Sequence, residues 1–189
     1  MSYTKVFSDF ELDQFAIKVA GDNAFERDDC VGSLEEDLEA ITVTKKCRGI
    51  VRKSRTRGSG SGTLNVSMHV KKHLADKISG MYSEGLTDGV VGYGAVSIHP
   101  EFVAVARVKD EDGIIKYKGY PKCTLTKKPT VSIENGAEEV AEVEMEIALA
   151  ADDYNLCMYE AIEEELTGNQ LTPENWMTDF SSELAQASV

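Results

Sequence analysis

Basic residues run out early in this 189-residue chain: the last is Lys128, and residues 129–189 hold fifteen Asp or Glu with no Lys or Arg. The molecule is therefore electrostatically two-ended, and its overall charge of −13 opposes the approach of DNA. The four cysteines (Cys30, Cys47, Cys123, Cys157) are scattered without a Cys-x-x-Cys pair. That spacing excludes a zinc knuckle, a thioredoxin-type motif and a disulfide framework, and it suits a reducing compartment. Three histidines are too few for most metal or acid–base constellations. His69 and His73 stand four apart like a metal pair, but no third ligand lies near them in sequence. No apolar run approaches the ~18 residues of a membrane span, and the N-terminus lacks a signal pattern. The expected setting is cytosol-like and without a membrane.

Motifs for catalysis and cofactors are also missing. Gly58-Ser59-Gly60-Ser61-Gly62 lacks the Lys-Ser/Thr of a phosphate loop, and Gly89-Val90-Val91-Gly92-Tyr93-Gly94 has its glycines in the wrong order for a dinucleotide fingerprint. No Gly-x-Ser-x-Gly elbow occurs. Acid pairs fall in turns or on alternating faces, away from any apolar run that would raise one pKa. The expectation is a non-enzyme with no cofactor and no metal.

What is present is period-two patterning. In Ala141–Leu149, Ala141, Val143, Met145, Ile147 and Leu149 share one face of a strand, and Glu142, Glu144 and Glu146 share the other. Three like charges in a row repel. They read either as a solvated face or as a surface whose task is to be negative. Further strands are expected around Phe15–Val19, Leu38–Val51, Thr63–Val70, Ala95–Ile98, Phe102–Lys109, Ile114–Lys118, Lys122–Thr126 and Thr130–Ile133. Asp110–Gly113 and Asn135-Gly136 read as turns, and Pro121 as an edge or bulge position.

Leu74, Ile78 and Met81 predict an amphipathic helix over 71–83, closed by Gly85 and Gly89. Asp152 and Asp153 would cap a short helix holding Met158, Ala161 and Ile162. Near the end, Thr172 as N-cap and Pro173 begin a helix whose Trp176, Phe180 and Leu184 fall four apart, to dock on its own domain or a neighbour. The fold class is mainly β or α+β: a β-sandwich or barrel-like domain over 1–166 with a flanking helix, followed by a tail over 167–189.

Charge is uneven. Residues 1–128 hold eighteen acids against twenty bases, within an overall net charge of −13. Seven cations, Lys45, Lys46, Arg48, Arg52, Lys53, Arg55 and Arg57, stand together with no acid among them. They mark a long basic β-arm over 44–62, with the Gly/Ser stretch as its mobile tip. The arm has no aromatic for base stacking. A subunit basic at one end and acidic at the other makes head-to-tail contacts, which close into rings or run on as filaments.

The strand and helix over Thr63–Gly80, the hairpin Phe102–Tyr120, the segment Lys122–Thr130 and the acidic strand Val140–Ala150 resemble the major tail (tail tube) proteins of long-tailed, siphovirus-type bacteriophages of Gram-positive bacteria. The resemblance covers roughly residues 30–165 and stops before the C-terminal tail. It implies a structural virion protein that forms stacked, hexameric rings, with DNA passing through only in transit. Expected partners are further copies of itself, a tape measure protein, and tail terminator or distal tail proteins. The implied location is the virion, after assembly in the host cytoplasm. Under it, Lys45–Gly62 is the ring-bridging loop and Glu142, Glu144 and Glu146 are candidate lumen-lining acids. The alternatives are a nucleic-acid-binding module acting through the arm, a type VI secretion-like tube protein, or a distal tail component.

Overall fold

The computed structural model describes residues 3–136, 140–168 and 170–186. Glu138 and Glu139 of the acidic third, and the last three residues of the 167–189 tail, lie outside them.

The chain runs β1 (Glu11–Val19), β2 (Glu26–Asp28), β3 (Val31–Cys47), β4 (Ile50–Met68), α1 (Lys72–Ile78), β5 (Phe102–Lys109), β6 (Ile115–Leu125), β7 (Thr130–Val131), β8 (Val143–Leu149), β9 (Tyr159–Ile162) and α2 (Trp176–Asp179). The mainly β expectation holds. The described strands form one antiparallel sheet in the order β2-β1-β5-β6-β8-β4-β3, with β7 added to β8 and β9 added to β6. The path is open, so the sheet is not a closed barrel. It curls far enough to bring β3 back against β1.

The concave face holds the larger core. Phe15, Ile17 and Val19 of β1 meet Leu64, Val66 and Met68 of β4, Phe102, Ala104 and Ala106 of β5, and Met145, Ile147 and Leu149 of β8. Each set is spaced by two, as side chains on one face of a strand must be. Leu74 and Ile78 of α1 close this core. Pro121 lies at a bulge: β6 has two residues, 121 and 122, opposite the single Val103 between Phe102↔Cys123 and Ala104↔Tyr120. The extra residue reverses the parity, so Tyr120 and Cys123 both face the core. Strand β6 therefore continues through the proline instead of breaking into two strands.

A second apolar cluster lies on the opposite face. Ala16, Val105 and Tyr117 are covered there by Leu171, Trp176, Met177 and Phe180. Trp176 stacks on Tyr117 with ring centroids 5.7 Å apart, and its indole N–H donates to the Lys118 carbonyl at 3.2 Å. Phe180 fits over Gly119, where a Cβ would stand 2.4 Å from the ring. The glycine is required by close approach, not by a turn.

Four elements differ from expectation. Helix α1 ends at Ile78, because Gly80 takes a left-handed φ of +59° and its Cα sits against the Ile98 carbonyl; Gly85 and Gly89 lie beyond the end. Residues 95–98 form no strand; they belong to a long loop from Ser79 to Glu101. Residues 159–162 are strand β9, paired with β6, and not a helix. Asp152 caps no helix: its carboxylate accepts from the backbone N–H of Tyr154 and Leu156 and closes a turn. The C-terminal helix is a single turn, with Leu184 in a separate turn.

Candidate functional site: a cationic ribbon and an acidic face

Strands β3 and β4 run well past the body of the sheet. Strand β8 pairs with β4 over Gly62–Met68, and from Ala40↔Gly58 outward the two strands pair, among the described residues, with nothing but each other. Eight residues of extended chain, 40–47, make a ribbon roughly 25 Å long. Its tip is the two-residue turn Arg48-Gly49, with φ of 50° and 78°. Two successive positive φ values define the type I′ turn that matches strand twist.

The Gly/Ser stretch is therefore not the tip. It lies at the root, where register passes from Leu38↔Gly62 to Ala40↔Gly58, leaving Ser59, Gly60 and Ser61 opposite the single Glu39. Gly60 has φ +83°. The Ser59 hydroxyl donates to the Glu39 carbonyl at 3.1 Å, and the Ser61 hydroxyl to the Glu39 carboxylate at 2.7 Å. Glycine here permits a bulge, and the serines satisfy the polar groups that it frees.

Cross-strand partners share a face. On one face of the ribbon lie Ile41/Arg57, Val43/Arg55 and Lys45/Lys53; on the other lie Thr42/Thr56 and Thr44/Ser54. The Thr42 and Thr56 hydroxyls bond at 2.8 Å. Four cations and two β-branched apolar side chains thus occupy one side, and a neutral hydroxyl ladder the other. Lys46, Arg48 and Arg52 stand around the tip, where Arg52 is the extra residue of a second bulge. Among the described residues, these seven cations have no acidic partner, and all are exposed.

The root of the ribbon is held from below. Glu36 of β3 accepts from the Tyr120 hydroxyl at 2.6 Å and from Lys118 Nζ at 3.3 Å. Burial, then the Glu36 charge, pushes the Tyr120 phenol far above its ordinary range. This trio is not legible in the sequence because Glu36 lies more than eighty residues from Lys118 and Tyr120.

The glutamate ladder is less uniform than its sequence. Glu142 accepts from Ser67 Oγ at 2.6 Å. Glu146 lies 2.8 Å from Lys127 Nζ, and hydrogen bonds from Lys127 and then Thr126 hold its carboxyl below the ordinary glutamate range. Glu144 is exposed and, among the described residues, forms no ion pair. Glu35 and Asn65 join Glu144 and Glu146 along an open groove of about 230 Å³. Of the tail residues, Trp176 and Phe180 are buried on the chain's own sheet, and Leu184 packs partly buried beside them.

Among the described residues, no group of three or more His, Cys, Asp or Glu is placed to hold a metal ion, and no helix is long and apolar enough to cross a membrane. His69 and His73 have different surroundings: His73 sits 2.6 Å from Glu26, and His69 lines a separate depression with Glu142.

No protein-family model matches the sequence, and no curated protein matches it. Among solved structures, the chain is similar to the anti-feeding prophage cap, described as a tube terminating cap. That match has a TM-score of 0.49 and 10% identity, and it covers 85% of this chain and 96% of the other. It is also similar to a chain of the six-fold symmetrised anti-feeding prophage baseplate, with a TM-score of 0.41 and 9% identity over 85% of this chain and 97% of the other.

Proposed function

We propose that this chain is a structural subunit of a phage-type tail tube, polymerising with copies of itself as stacked rings whose bore admits DNA in transit. The ribbon carries this reading. Its side chains from Ile41 to Arg57 are exposed, its cations have no acidic partner among the described residues, and a two-stranded ribbon is marginal in water unless it rests on something. A molecule with a basic protrusion and a C-terminal third free of cations supplies that support from another copy, by heterologous contact. The sequence resemblance to siphovirus-type major tail proteins points the same way and assigns the ribbon to bridging adjacent rings. In this arrangement the face of Glu144 and Glu146 lines the bore. Identical carboxylates repeated around a ring give a surface that does not hold a polyanion. The tape measure, terminator and distal tail proteins are the proposed partners at the two ends.

The test is negative-stain electron microscopy of the purified protein at high concentration, beside a variant with Arg52, Lys53, Arg55 and Arg57 changed to Gln. Rings or tubes are expected for the natural chain, and folded but unstacked protein for the variant. Persistent monomers of the natural chain at every salt concentration sink the proposal.

A one-sided cationic ribbon also has the width to enter a DNA major groove. That second reading demands a salt-dependent gel shift that the same four substitutions abolish. Absence of a shift at low salt removes it.

A further inference from the structure

The loop from Ser79 to Glu101 joins α1 to β5 with no strand of its own. Loops this long inside a compact domain are uncommon and are usually functional. This one is organised. Tyr82 and Gly92 exchange both backbone hydrogen bonds, at 2.9 and 2.7 Å, closing a compact sub-loop whose ends meet. Farther along, the Tyr93 hydroxyl meets His99 Nε2 at 2.9 Å, while His99 Nδ1 lies 2.8 Å from the Leu125 carbonyl, fixing the loop to β6. Lys128 lies over the Tyr93 ring at 5.5 Å.

A held loop should turn its apolar side chains inward. This one turns them out: Val90 and Tyr93 are half exposed, Val96 65% and Ile98 82% exposed, with Leu86 at 42%. Glu84 and Asp88 are its charges between Gly80 and Pro100, and no Lys or Arg occurs there. Exposed apolar groups clustered in this way mark an interaction surface.

The chain displays a second set of the same kind. Ile41, Val43, Ile50 and Val51 of the ribbon are each 44–62% exposed and are interleaved with seven cations. One surface is apolar and acidic, the other apolar and basic, and they belong to different parts of the molecule. We propose that the Tyr82–Ile98 loop is the receptor for the ribbon of a second copy, with Ile41, Val43 and Ile50, which share the cationic face of the ribbon, packed on Leu86, Val90 and Val96, and arm cations beside Glu84 and Asp88. This rests on the reading of the arm as an intersubunit bridge and names its seat.

The segment after Leu156 carries acid at Glu160, Glu163, Glu164 and Glu165, but its large apolar side chains are spent on its own sheet, where Leu171, Trp176, Met177 and Phe180 are buried; the exposed Val131, Ile133, Val140, Tyr154 and Leu156 lie earlier in the chain. A surface that is only charged leaves the ribbon's isoleucines and valines in water. A seat with apolar groups at its centre and carboxylates beside them desolvates the first and pairs the second, which is how interfaces are built.

Cys47 stands exposed beside the ribbon turn and makes the test direct. In a Cys30→Ser background, Val90→Cys is expected to give intermolecular disulfides with Cys47 on diamide oxidation of assembled protein, and Cys47→Ser abolishes them. Glu164→Cys, on the acidic C-terminal surface, is expected to stay unlinked. Separately, Leu86→Asp with Val90→Asp is expected to leave the far-ultraviolet circular dichroism unchanged and to weaken self-association at least tenfold by sedimentation velocity. Cross-linking of Cys47 to position 164 in place of 90, or unchanged association of the Asp variant while arm neutralisation blocks assembly, overturns the seat and leaves the tube reading standing. No self-association by the natural chain overturns both.

Discussion

Asp152 shows how much one carboxylate can organise. Burial opposes its charge, yet hydrogen bonds from Ser182, Tyr159 and the backbone N–H groups of Leu156 and Tyr154 outweigh burial and hold its pKa below the ordinary aspartate value. The Tyr159 hydroxyl donates to it at 2.5 Å. Through Ser182 the same carboxylate ties the 152–156 turn to the C-terminal segment. A depressed pKa in the folded state means a contribution that is complete above the unfolded value of 3.8 and is lost as pH falls through the lower folded value. Asp152→Asn should therefore lower the urea midpoint at neutral pH, and its deficit against the natural chain should shrink below about pH 4. An equal deficit at both ends of that range contradicts the assignment. Phe180 is the neighbouring anchor. Fully buried over Gly119, it should cost about 3–5 kcal/mol when truncated to Ala, measured by urea denaturation. The single tryptophan, Trp176, would report release of the segment by its fluorescence.

Among the elements, the ribbon is energetically separate from the body. From Ile41 to Arg57 every side chain is exposed, and Ala40 and Gly58 face each other across its root. Replacing residues 41–57 by Asn-Gly, a sequence suited to a two-residue hairpin, should shift folding stability by no more than about 0.5 kcal/mol. The checks are thermal unfolding, expected to be unchanged, and sedimentation, expected to show monomer. This element and its charge are legible in the sequence, because alternation in Thr63–Val70 and seven clustered cations are local signals. The position of its tip is not. Glycine and serine signal chain freedom, but the freedom at Gly60 is spent on a bulge, and the reversal occurs at Arg48-Gly49 inside the basic run. The Glu142/Glu144/Glu146 alternation was likewise legible. Their partners Ser67 and Lys127 were not, since pairing with β4 and the segment after β6 depends on tertiary placement. The Tyr82–Ile98 loop was hidden for a related reason: its valines and tyrosine imitate strands, but Gly80, Gly85 and Gly89 take left-handed φ values and turn the backbone out of the sheet.

Charge is segregated across the whole molecule, and so are the sites a protease can use. Trypsin needs Lys or Arg; the ribbon offers seven exposed ones, and nothing beyond Lys128 offers any. Limited digestion should nick 45–57 first. The two pieces should then elute together on gel filtration, because β3 and β4 stay paired below Leu38↔Gly62 and share a core with β8 and β1. In assembled material the same bonds should be protected, since the ribbon then lies against a neighbour. Rapid nicking of assembled particles at the rate seen for monomer contradicts ribbon burial.

The three-against-one bulge at Ser59-Gly60-Ser61 is also a joint with a lever attached. Over an arm of roughly 25 Å, a rotation of about 10° at Gly60 carries the tip about 4 Å. Subunits linked through such joints can follow a curved path by small rotations at each root, while the ribbon stays seated at its tip and the sheet it springs from remains rigid. Gly60→Ala, at a left-handed φ that alanine rarely adopts, would strain the bulge and change the freedom of the joint, so the bending stiffness of the polymer should change before any contact at the tip does. Persistence length measured from micrographs is where that change would show.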